Sequence, residues 1–228
     1  MLIDWTFMAS PRIMGAMLAG LKLTLIVTIG SAIAAMVIGT GLAFLTTGRS
    51  RLGRRFAEVY VAIFRNVPLL VVLFFIYFGM PDFLPPRDFP FLYGTSYETL
   101  AAIIAVTLVA SAFVAEVLRA GIEAVPAGQI EASEALGLTR RRYFRLVVLP
   151  QLLPIVLPGL CNETINIVKN STYGMTIGLA ELIWQAQQIE AETFRGFEAM
   201  TAATLVFLCL NGAIFLAFSG LEKAFRLP

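Results

Sequence analysis

The sequence predicts an all-α integral membrane protein with five transmembrane helices, its N-terminus outside the cell and its C-terminus in the cytoplasm. Composition, apolar stretches long enough to cross hydrocarbon, and alternating charge between those stretches all point there. Of 228 residues, 58% are hydrophobic and 14% charged. A soluble domain carries about 25% charged residues, and so few charges cannot cover a water-facing surface. The chain has no His, so the commonest general base and metal ligand are missing. Cys161 and Cys209 sit in apolar runs without CxxC spacing and read as small hydrophobes.

A transmembrane helix needs about 20 mainly apolar residues. The first stretch, 13–47, has Lys22 as its only charge and is longer than one crossing requires. The second, 59–80, is interrupted by Arg65; the third covers 99–120; the fourth, 146–168, contains Glu163; the fifth, 199–221, is clean. A shorter apolar piece from Tyr173 to Ala180 suits a re-entrant or interfacial segment. Met1–Ser10, with Trp5 and Phe7, reads as interfacial rather than as a cleaved signal, because Asp4 precedes any basic residue. The proline-rich run from Met80 to Pro90 reads as an external loop that cannot be regular helix. The whole chain, 1–228, then forms one membrane domain.

Basic residues concentrate in cytoplasmic loops. The loop 48–56 carries Arg49, Arg51, Arg54 and Arg55 and no acid. The loop between the third and fourth stretches holds Arg119, Arg140, Arg141, Arg142 and Arg145 against Glu123, Glu131 and Glu134. The loop 81–98 sets Asp82, Asp88 and Glu98 against Arg87, and 171–198 sets Glu181, Glu190, Glu192 and Glu198 against Arg195. The sign alternates loop by loop, which puts the basic loops, Lys223 and Arg226 in the cytoplasm.

Within the long cytoplasmic loop, Pro126 can open a helix and Gly137 can end it. Thr139 can cap a second helix leading into the fourth span. Two short helices would meet at a glycine turn, one exposing small residues and the other basic.

The wording of this loop resembles the "EAA" loop of permeases in the ATP-binding cassette family: Glu131-Ala132-Ser133, then Gly137, then Leu149-Pro150. The third alanine is replaced by Ser133, which is also small. FRNVPLLVVLFFIYFGMP (64–81), FVAEVLRAGIEAVPAGQ (113–129) and KNSTYGMTIGLAELIWQAQQI (169–189) are similar to further segments of polar amino-acid permeases, in the same order. The resemblance implies the transmembrane domain of a type I importer, with 121–149 as a coupling loop. Glu131, Ala132, Ser133, Gly137 and Leu138 would engage a separate ATPase subunit. It also implies a dimer of ATP-binding subunits carrying ATP and Mg, a second permease half, an external solute-binding protein, and residence in a bacterial inner membrane. The chain has no GxxxxGK[ST] phosphate loop, so it binds no nucleotide cofactor itself and is a transporter subunit rather than an enzyme. No metal site and no nucleic-acid partner are expected.

Charged groups at membrane depth face a cavity or a partner. Glu116 and Arg119, three apart, suit a local pair. Arg65 suits a snorkelling anchor, a structural pair or a gate. Glu163, Asn166 and Asn170 share one helix face bordered by Lys169 and followed by Ser171 and Thr172, a candidate substrate pathway. Where related permeases often have Asp after the lysine, this chain has Asn170, so the local field suits an acidic or amide side chain better than a cationic one. The run KNSTYGMTIGLAELIWQA also resembles the glutamate/aspartate branch of the family, which implies glutamate or aspartate rather than glutamine as substrate. The rival reading is a secondary transporter or channel working alone, which would want an inverted repeat that is not visible.

Overall fold

The computed structural model describes residues 5–48, 50–88, 90 and 97–225. Asp4, used in reading the N-terminus, and Arg49 and Arg226, used in the charge argument, lie outside the described residues. A 3-10 turn, Trp5–Ala9, precedes α1, Pro11–Thr46. Then come α2, Arg51–Asn66, and α3, Leu69–Phe83; α4, Tyr97–Glu123; α5, Ala127–Ala135; α6, Arg140–Ile177; α7, Leu182–Thr193; and α8, Gly196–Phe225. Four of these, α1, α4, α6 and α8, are each long and apolar enough to cross a membrane. The pair α2 and α3 passes the same test together but is bent by 104°.

That bend interrupts the second predicted span. Residues 59–80 are not one continuous helix, because Pro68 has no N–H to continue a helix and forces the preceding residue out of it. Val67 accordingly sits in extended conformation, φ −89° and ψ 128°. The loop expected at 48–56 is also helical from Arg51 onward. α2 lies across α4 rather than beside it: Tyr60 donates to the Leu108 carbonyl at 3.2 Å and meets Ser111 Oγ at 2.8 Å, while Arg65 reaches Glu116. The first residues of the proline-rich loop, Met80–Phe83, continue α3 as helix. α3 contains a wide π turn at Phe75–Gly79. The Tyr97 hydroxyl donates to the Ile76 and Tyr77 carbonyls there, at 3.1 and 2.8 Å.

α1 and α4 run parallel. Ser31, past the middle of α1, donates to the Ile103 carbonyl early in α4, and Gly39 lies against Val114 further along both. Small residues on α4, among them Ala102, Ala105, Ala110 and Ala115, are buried along the seam, as suits helices whose association rests on close backbone approach. α6 returns antiparallel. At Gly159 the two backbones come so close that a Cβ would stand 2.7 Å from Val117 Cγ1.

α6 begins at Arg140, not at 146, and runs unbroken for 38 residues. The basic segment expected as a separate short helix is its first turns. The Tyr173–Ala180 piece is no independent re-entrant segment. A 3-10 turn, Thr172–Ile177, ends α6, and Gly178 follows in left-handed conformation, φ 84°. The stretch 171–198, read as an acidic loop, contains α7. This helix packs through Leu182, Ala186 and Ile189 against Ile13 of α1 and Ala199 and Ala203 of α8.

Candidate functional site

Three places combine polar chemistry with an arrangement that packing alone does not require. The first is the α5 hairpin. Pro126 precedes the helix in extended conformation, and α5 ends at Ala135 with Leu136 as its cap. Gly137 follows at φ 72°, a left-handed geometry that suits glycine. The Gly137 N–H donates to the Glu134 carbonyl at 2.9 Å, and the Leu138 N–H to the Ser133 carbonyl at 3.1 Å. These two bonds form a Schellman turn that satisfies the end of the helix. Glu131, Ala132, Gly137 and Leu136 are exposed, Leu136 to 81%, while Leu138 is half-buried. Ser133 departs from the expectation of an exposed small residue. It is 4% exposed and its hydroxyl donates to the Gln129 carbonyl at 2.6 Å. The outward face of the hairpin is therefore Glu131, Ala132, Ala135 and Leu136, with Ser133 turned into the protein.

The second place is a face of α6. Pro158, Asn162, Asn166, Lys169, Tyr173 and Thr176 are exposed at three-to-four residue spacing, one continuous line along the helix. Asn162 belongs to this line although the sequence reading passed over it; counting back four from Asn166 would have found it. Glu163 and Asn170 flank the line half-buried, and Asn166 donates to Glu163 at 3.4 Å. Lys169 has no acidic partner within ion-pair distance among the described residues. Ser171 does not join the face. It is fully buried, and its hydroxyl donates to the Val168 carbonyl of its own helix at 2.8 Å. Thr172, half-buried, donates to the Lys169 carbonyl at 2.7 Å. Polar groups at membrane depth are unstable against lipid, so this open line requires a wet path or another protein beside it.

The third place is a cavity of about 470 Å³ between the C-terminal portions of α1, α2 and α4, lined by Thr46, Glu58, Arg65, Asn66, Phe113, Glu116 and Arg119. The expected Glu116–Arg119 pair is present and bidentate, at 2.6 and 3.0 Å, and Arg119 also reaches Glu123 at 2.6 Å. Arg65 stands 3.6 Å from Glu116, with its guanidinium over the Phe113 ring. Arg65 thus links α2 to α4.

One charged group, counted in the sequence only as a loop acid, has a structural role. Glu181 is fully buried and caps α7, accepting from the Trp184 N–H at 2.9 Å. Thr24 of α1 donates to Glu181 at 3.4 Å and accepts from the Leu182 N–H at 3.2 Å. An acid three residues before a backbone N–H at a helix start is a readable cap signal.

Residues 35–227 match the family described as "Binding-protein-dependent transport system inner membrane component". The octopine transport system permease protein OccM of Rhizobium radiobacter is 35% identical, over 92% of this chain and 85% of its own length. The glutamate/aspartate import permease protein GltJ of Escherichia coli strain K12 is 30% identical, over 100% of this chain and 98% of its own. A chain in the crystal structure of an amino acid ABC transporter with histidines superposes with a TM-score of 0.84 at 30% identity, covering 98% of this chain and 100% of that one.

Proposed function

This chain belongs to the family of inner-membrane components of binding-protein-dependent transport systems, and we propose that it carries glutamate and aspartate as one permease half of an ATP-driven importer. As a permease subunit of an amino-acid importer of the ATP-binding cassette class it hydrolyses nothing itself; a separate subunit does. In this reading two ATP-binding subunits, carrying ATP and Mg, grip the α5 hairpins of two permease halves. An external solute-binding protein delivers the substrate. The arginine-rich end, with Arg54, Arg55, Arg140 and Arg141, lies in the cytoplasm of a bacterial cell, and the acidic end faces outward.

The observation that carries the importer reading is the α5 hairpin: a short helix held by its own Schellman turn, presenting Glu131, Ala132 and Leu136 outward next to the start of α6. A shape that is fixed internally yet open externally suits seating in a cleft of another subunit. The substrate reading rests on Lys169. It is an exposed ammonium on the α6 face with neutral Asn170 beside it, an arrangement that attracts a second carboxylate on the substrate. Similarity to the glutamate/aspartate permease agrees with it.

Uptake into vesicles holding the chain with its ATP-binding subunit and binding protein tests both parts. Glutamate uptake should need ATP, and Lys169→Ala should lower it on the order of tenfold while leaving membrane insertion intact. Transport without ATP by this chain alone would reinstate the secondary-transporter reading. An unchanged preference across a panel of amino acids for both Lys169→Ala and Asn170→Asp would remove α6 from the pathway.

A further inference from the structure

α7 ends in an unusual way. Its closing residue, Phe194, is the one non-glycine residue at positive φ among those described, φ 56° and ψ 24°. Its N–H donates to the Glu190 carbonyl at 2.7 Å, the bond that closes the helix. Glycine or asparagine makes this closure without strain, whereas a bulky side chain in the left-handed region is an outlier. The strain gains no packing in return, because Phe194 is 81% exposed. Phe197 is 61% exposed and Trp5 47%, with their rings edge to face at 6.3 Å. Glu190, exposed, and the exposed Glu192–Arg12 pair stand on the same end of α7.

Strained residues cluster where function holds them, and exposed aromatic groups beside a polar border are the usual anchors of protein interfaces. α8 has 30 residues, about 45 Å, against a hydrocarbon core of about 30 Å. Phe194 precedes its first residue, at the end of the molecule opposite the α5 hairpin. A lipid anchor could use any aromatic residue in an ordinary helix; a side chain held outward by a costly backbone points to one fixed receptor.

We propose that Phe194, three positions before the exposed Phe197, is the docking knob for the solute-binding protein, whose matching surface is an apolar pocket bordered by a basic group facing Glu190. This rests on the importer reading above.

The test uses the chain assembled with its ATP-binding subunit in lipid nanodiscs, and the solute-binding protein of the same system loaded with L-glutamate. F194G should melt at or above the parent temperature, since the strain is relieved, yet bind the loaded protein about tenfold more weakly. The half-saturating concentration for stimulated ATP hydrolysis should rise by the same factor, with the saturated rate kept. F194N serves as the second variant should F194G assemble poorly. Unchanged affinity in both overturns the docking role. So does quenching of F194W by brominated lipid in the assembled complex, which would make the knob a membrane anchor. A parent complex that never responds to the loaded binding protein overturns the importer reading itself, whereas equal response of parent and F194G overturns this inference alone.

Discussion

Glu181 and Thr24 lie 157 positions apart in sequence and meet in a fully buried contact. Removing the carboxylate leaves the Trp184 N–H and the Thr24 hydroxyl without their partner in a place water does not reach. Glu181→Ala should therefore cost about 1–2 kcal/mol, read as a lower melting temperature of the detergent-solubilised chain. Glu181→Gln keeps an acceptor for one of the two donors and should lose less. Only part of such residue-level detail is legible in the sequence. The local Glu116–Arg119 pair follows from three-residue spacing alone. Ser133 and Ser171 do not declare their direction, because a small hydroxyl suits either side of a helix and the choice is made by neighbours distant in sequence. Glu181 was counted as one more external acid for the same reason: its cap signal is local, but its burial comes from α1.

At the scale of elements, the α5 hairpin was readable because Pro126 and Gly137 punctuate it. Gly137→Pro or Glu131→Lys should abolish substrate-stimulated ATP hydrolysis with insertion intact; hydrolysis at the parent rate would count against the coupling role. The break between α2 and α3 was harder to see. The apolar run on both sides of Pro68 satisfies a span by composition, and a hydropathy window averages over the bend. α7 escaped notice because its core residues alternate with Gln187, Gln188, Glu190 and Glu192, giving one apolar face rather than an apolar stretch. The crossing of α4 and α6 offers its own measurement. Gly159→Val would push Val117 away and should cost about 1–3 kcal/mol of thermal stability, more than the same change at Gly41, where a Cβ meets nothing within 4 Å.

For the whole molecule, contacts along α1, α4 and α6 set their directions, α1 and α4 parallel and α6 opposed to both, and the two ends of the bundle differ in charge. Orientation in the membrane follows from the arginine-rich end and is testable by labelling. In a background with Cys161 and Cys209 replaced by alanine, Leu136→Cys should react with an impermeant maleimide only in inside-out vesicles, and Gln188→Cys only in right-side-out ones. The reverse pattern would invert the topology. The architecture at this scale was the most legible part, since apolar length and loop charge act over twenty residues at a time and tolerate local error.

The unbroken length of α6 has a mechanical consequence. Its 38 residues make a beam of about 57 Å, and Gly159, where it bears on α4, falls at its midpoint. Moved as a rigid body about that point, such a beam would act as a seesaw: a displacement imposed beside the hairpin would return at the far tip in the opposite sense.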